Sequence, residues 1–419
     1  MNRIVESISK LQKYCEAEDF KGWDPYDGLN SRLFNAVPLL KNSALCRLIM
    51  IQLFKRNPIN LRRIAAITKQ HNPKAIALFL SGYCNLYRAI EDNPELQDIF
   101  GQKQTMKATI ERLARLLLSL RANGNYHGAC WGYNFDWQSR RSFLFPRYTP
   151  TVVVTSFCAT SLFDAYKITG EKEFLNEALS TAVFVINDLH RTPCGTGFLF
   201  SYSPLQGNDT VFNASLLGVK ILSQCYKYTH NPEYLELASQ VVTAVCESQR
   251  PDGGWVYGQL PVQSWIDSFH TGYNLDALET YRVMTGDRTF DKNIERGFDF
   301  YINNFFEYDG TPKYYHNKTY PIDIHSPAQL VVTLSNMNQL TQHYGLATKV
   351  VEWTISNMQD KKGYFYYQIK QLVSSKISYM RWSNAFMFNA LALLLSKYYC
   401  SDEECGIISA KSQYFHFRS

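Results

Sequence analysis

No run of about eighteen apolar residues occurs in this 419-residue sequence, so a membrane-inserted helix is not expected. The first twenty residues, Met1 to Phe20, have amphipathic periodicity without an apolar signal core, which argues against a secretory leader. Charge is sparse and close to balanced: 43 Lys and Arg against 37 Asp and Glu leave +6. Without a Lys/Arg run, no nucleic-acid surface is expected. The ten cysteines include no CxxC pair and no zinc-finger spacing. Most lie in helical apolar patterns, where Cys acts as a small hydrophobe. The expectation is a reduced, cytoplasmic chain, a monomer or weak homo-oligomer.

Common catalytic signatures are missing too. There is no phosphate-binding G-x-x-x-x-G-K-[ST], no G-x-G-x-x-G in a βαβ setting, no G-x-S-x-G elbow and no HExxH. No cofactor and no metal is expected.

Aromatics are plentiful, 15% with 28 Tyr and 7 Trp, which suits a cleft lined with ring faces or an aromatic core. The other positive signal is repetition. Apolar helices begin near Lys74, Val152, Thr210, Thr271, Pro327 and Ser383. From the second onward they recur at intervals of about 56 to 61 residues. Amphipathic partners follow at 104–121, 172–189, 232–248, 290–305 and 346–358. Short joints pair a helix stop with a new cap: Thr169-Gly170-Glu171, His230-Asn231-Pro232 and Thr285-Gly286-Asp287. A helix apolar nearly all round is packed on every side, whereas its amphipathic partner faces solvent. Six such hairpins in two concentric rings satisfy this pattern. The fold class expected is all-α, an (α/α)6 toroid over residues 1–400, with a loosely ordered tail over 401–419. The helix at 39–54 is the candidate to close the ring. Short hairpins are expected on one rim at 253–257, 308–315 and 363–369.

Gln249-Arg-Pro-Asp-Gly-Gly-Trp255 resembles the QxxDGxW repeat end of terpenoid-cyclase and protein-prenyltransferase toroids. The hairpin spacing is similar to that of six-hairpin glycosidases and N-acylglucosamine 2-epimerases. Cys130 to Gln138, Asp267 to Gly272 and Arg381 to Ala385 resemble a bacterial toroid family associated with polysaccharide biosynthesis regions. That resemblance implies a carbohydrate-active protein. The terpenoid motifs DDxxD and DxDD are absent, and Phe269 stands where a prenyltransferase zinc site would need Cys.

In such a ring the outer-to-inner loops gather around one cavity mouth. Asp209, Asp267 with His270, and Asp323 with His325 stand at inner-helix starts, and Asp136 lies in a preceding loop. Capping accounts for an Asp at a helix start but not for a His beside it twice. Asp267, His270, Asp136, Asp323 and His325 are therefore the catalytic candidates. Trp131, Tyr133, Trp137, Trp255, Tyr257, Trp265, Tyr314 and Trp382 are candidate platforms for sugar faces, each with rim packing as the alternative. Arg140, Arg147 and Arg381 offer forks for an anionic group on the saccharide, with Asp209 as a further contact. Two chemistries fit: hydrolysis by paired carboxylates, favoured on their number, or epimerisation or elimination by His270 and His325. A non-catalytic glycan-binding scaffold and an isoprenoid-handling toroid are the alternatives.

Overall fold

A computed structural model describes residues 1–138 and 144–400. The expected tail over 401–419, with Arg140 and Arg141, lies outside the described residues. The longer helices are α1 (Asn2–Ala17), α2 (Ala44–Arg56), α3 (Pro73–Asp92), α4 (Lys103–Ser119), α5 (Val152–Thr169), α6 (Lys172–Asp188), α7 (Phe212–Thr229), α8 (Pro232–Glu247), α9 (Ser268–Thr285), α10 (Asp291–Asn304), α11 (His325–Asn336), α12 (Tyr344–Met358) and α13 (Phe386–Tyr399). Among the described residues, none is long and apolar enough to cross a membrane.

Local chemistry sets their bounds. Asn72 caps α3 by accepting from the Lys74 and Ala75 amides, and Pro73 follows at the first helical position. Gly170, His230 and Gly286 end α5, α7 and α9 in the left-handed region, so the repeated joints are helix stops. Helices α3, α5, α7, α9, α11 and α13 bury nearly every side chain of their first turns. Each packs on the next, and α13 returns to α3, closing an inner ring. Gly82 makes that last contact possible: a Cβ there would sit 2.6 Å from the Phe388 ring. Helices α4, α6, α8, α10 and α12 back the inner ring. This is the (α/α)6 toroid.

The sixth outer position departs from expectation. It is filled by α1, which packs on α13 and α12, and not by the helix at 39–54. Ile4, Ile8, Leu11 and Cys15 form a buried stripe on α1, the narrow apolar face an outer helix needs. Helix α2 lies across the rim instead, against the turn Asp27–Asn30 and strand β1.

Short antiparallel strands decorate the loops: β1 (Trp137–Gln138) with β2 (Leu144–Phe145), β3 (Arg191–Cys194) with β4 (Gly197–Phe200), and β5 (Ile322–Asp323), β6 (Tyr366–Ile369) and β7 (Ser375–Ser378) in one sheet. The hairpin expected at 363–369 corresponds to β6. The stretch at 308–315 gives isolated bridges, from Pro312 to Phe306 and from Tyr315 to Asp267 and Lys318, and 253–257 contains no strand. The β3–β4 hairpin was not expected.

Candidate active site

The N-terminal ends of all six inner helices open on one cavity of about 900 Å³. Lys74 comes from α3, Val153 from α5, Asn213 from α7, His270 from α9, His325 from α11 and Trp382 from the turn before α13. That turn, Met380–Ala385, is π-helical, a local widening frequent at functional sites. Tyr133, Trp137, Tyr257, Trp265, Tyr314 and Arg381 complete the predicted residues in the lining. Trp265 stacks on Tyr257 at 4.4 Å, and Trp137 on Phe145 at 4.1 Å.

Asp267 and Asp323 stand behind this lining. Asp267 caps α9 by accepting from the His270 amide at 3.0 Å. Its other oxygen accepts the Trp265 indole N–H at 3.0 Å and faces His270 Nδ1 at 2.8 Å. A carboxylate there fixes the tautomer with the proton on Nδ1, so Nε2 carries the lone pair. Among the described residues nothing bonds that Nε2. Asp323 accepts from the His325 amide, the Trp382 indole and the Gln368 amide group at 2.9–3.0 Å. Burial pushes its carboxyl up to about 6, against those three donors.

His325 is 1% exposed. Its ring lies nearly parallel to Phe269 at 4.6 Å and edge-on to Trp382, and Nε2 meets the Tyr273 hydroxyl at 3.1 Å. Nδ1 has no partner among the described residues. Burial, then the positive charges of Lys74, Arg381 and His270, holds its pKa well below the usual histidine range. The ring is neutral and can accept a proton.

Lys74, which sequence reasoning missed, is 3% exposed and lines the cavity. Its ammonium lies 4.0 Å over Phe157, with Tyr273 and Phe386 beyond 5 Å, and pairs with no carboxylate among the described residues. Burial and then Arg381 push it well down from the ordinary lysine range. The available signal was a lone cation opening the run Ala75–Leu80. Tyr273 was also missed. Burial pushes the Tyr202 and Tyr273 hydroxyls up, so they stay protonated donors.

Several expected site residues are placed elsewhere. Trp131 and Trp255 do not line the cavity; they are 0% and 2% exposed. Their indole N–H groups donate to Leu117 O at 2.8 Å and Val245 O at 2.9 Å, stapling each loop to the end of the preceding outer helix. Gly297 lies under the Trp255 ring, where a Cβ would be 2.4 Å from it. Trp255→Ala should therefore cost about 3–5 kcal/mol of stability, read by denaturant unfolding, with saccharide affinity unchanged. Asp136 accepts from the Arg147 amide and lies off the cavity. Arg147 is exposed against Tyr148. Asp209 accepts the Thr192 hydroxyl at 3.0 Å and neither caps α7 nor reaches the cavity.

Arg381 reaches the cavity, but Nε and Nη2 already bond both oxygens of Asp24, at 2.6 and 2.8 Å. The fork expected for a substrate anion is thus committed. Asp24 and Asp27 belong to one buried network with Arg62, whose Nε bonds Asp27 at 2.7 Å and Nη2 the Asp24 carbonyl at 2.7 Å.

Asp323 also makes a pH prediction. Its folded-state pKa lies above the unfolded carboxylate value near 4, so the native state holds the proton longer and its stability contribution falls as pH rises from about 4 to about 6. The stability gap between wild type and Asp323→Asn should narrow over that window by about 2–3 kcal/mol, measured from urea midpoints. A gap that widens with pH would refute the assignment.

No family model matches this sequence, and no curated protein does. Solved structures do resemble it. An α-mannanase of glycoside hydrolase family 76 from Bacteroides thetaiotaomicron superposes with a TM-score of 0.59 at 11% identity, over 79% of this chain and 88% of that one. A cellobiose 2-epimerase from Bacillus thermoamylovorans gives 0.57 at 13%, over 78% and 90%. An unsaturated glucuronyl hydrolase specific for heparin gives 0.58 at 13%, over 94% and 97%. At these identities the likeness is one of fold.

Proposed function

We propose that this chain is a saccharide-acting enzyme that moves a proton at a sugar carbon, as an epimerase or lyase does, with His270 and His325 as the proton carriers. The observation that carries the reading is that these two imidazoles, from neighbouring inner helices, share one cavity whose described lining includes no Asp or Glu side chain. Neutral His325 would take the proton. His270, protonated beforehand at Nε2 from solvent and held as the imidazolium by the Asp267 carboxylate, would give its own proton to the opposite face of that carbon, and both rings would then reset by exchange with solvent. Tyrosine hydroxyls and indole faces would hold the sugar, and Lys74 offers a second acceptor. The resemblance to a family associated with polysaccharide biosynthesis regions suggests the setting.

Hydrolysis is the second reading, because the Asp323 carboxyl near 6 has the proton affinity of a general acid. It ranks lower because Asp323 is fully buried and both its oxygens are already bonded. Paired carboxylates must flank the scissile bond directly, and those counted in favour of hydrolysis lie behind the wall or off the cavity. Incubation with aldoses, disaccharides and uronic acids, followed by NMR, separates the two. A new stereoisomer or an unsaturated sugar supports the proposal; new reducing ends alone would assign the site to hydrolysis.

A further inference from the structure

The rim crossed by α2 carries an apolar surface that the toroid does not use. Along α2, Leu45, Ile49 and Leu53 fall at helical spacing on one stripe and are 66%, 57% and 49% exposed. Ile51 and Phe54 are buried on the protein side. Leu39, Ile59 and Ile64, in the flanking segments, are exposed as well. The β6–β7 turn brings exposed Leu372 and Val373 to the same end, where Lys370 Nζ donates to the Arg56 carbonyl at 3.2 Å. Exposed apolar side chains lined up along one helix stripe mark a candidate interaction site.

Its charge indicates the partner. From Gly28 to Ile90 the sequence contains no Asp or Glu. Arg32, Lys41, Arg56 and Arg63 are exposed, and none pairs with a carboxylate among the described residues. An apolar stripe edged by unpaired cations is the signature of a helix lying in a lipid interface, where acyl chains cover the stripe and anionic headgroups meet the cations. We infer that the α2 rim docks on an anionic bilayer surface as a peripheral, non-spanning contact. Ile51, Gln52 and Lys55 of the same helix line the cavity, so the docked face and the cavity lie on either side of one helix, about 10 Å apart. The inference is independent of what the cavity does.

The test uses the full chain and co-sedimentation with phosphatidylcholine vesicles, with and without phosphatidylglycerol. Wild type should bind the anionic vesicles, and binding should weaken with salt. Leu45→Ser/Ile49→Ser/Leu53→Ser should lower partitioning at least about tenfold. Arg32→Gln/Lys41→Gln/Arg56→Gln/Arg63→Gln should lower it by about 600-fold, at about fivefold per cation. All seven positions are surface positions, so circular dichroism should match wild type. Absence of vesicle binding, or binding unchanged in both variants, overturns the inference. So does a concentration-dependent dimer in sedimentation velocity that the serine variant abolishes while vesicles bind neither protein, because the face then belongs to a second copy.

Discussion

Replacing His325 by Gln is expected to lower turnover of a responsive sugar by about 10²–10⁴-fold, the usual cost of losing a general base, with KM little changed. Gln keeps the size and a hydrogen-bonding end but cannot take up a proton. Tyr273→Phe, which removes only the bond to Nε2, should cost much less. The pH profile distinguishes a proton carrier from a packing residue. Because burial and neighbouring cations hold the His325 pKa well below the usual range, the acid limb of kcat/KM should lie below about 6.5, the ordinary histidine value. His270→Gln should bring a loss of the same order, and Asp267→Asn a smaller one by freeing the tautomer. Rates within about twofold of wild type for both histidine variants would remove them from the mechanism.

The second large effect is on stability. Arg381→Met leaves Asp24 buried and unpaired and should cost about 3–5 kcal/mol, against a total of about 5–15 for a domain. The cost arises because an isolated carboxylate in a dry interior has no compensating charge. Asp24→Asn combined with Arg381→Met should recover much of the loss, since removing both charges leaves nothing unbalanced. If the double variant is no more stable than the single one by chemical denaturation, the pair is not what holds this corner together. The corner matters to the fold because Asp24 lies between α1 and α2 while Arg381 precedes α13. Their contact ties the two ends of the chain where the ring closes.

The inner helices were readable because their apolar periodicity recurs at nearly constant spacing, and each joint carries its own stop and cap. The closing helix was not, because nothing local in Asn2–Ala17 states that it will meet residues near the other end of the chain. Loop position likewise located the cavity mouth but not the direction of each ring. Trp265 and Trp255 are ten residues apart in one loop, yet one lines the cavity and the other anchors to Val245. The difference lies in the turn: Pro251-Asp252-Gly253-Gly254 returns Trp255 onto the end of α8. Asp267 and Asp323 were recognised as special, but their oxygens face inward to the histidine and tryptophan that line the cavity. The partners of Arg381 and the desolvation of Lys74 depend on long-range packing, which residue spacing does not encode.

The central claim is that a proton is exchanged at a sugar carbon by cavity histidines. The most direct measurement is deuterium incorporation in D2O, followed by NMR on saccharides that stabilise the protein. The account predicts wash-in at a single carbon with wild type and its loss in His325→Gln. Glycosidic bonds cleaved by wild type with every carbon-bound proton retained would contradict it.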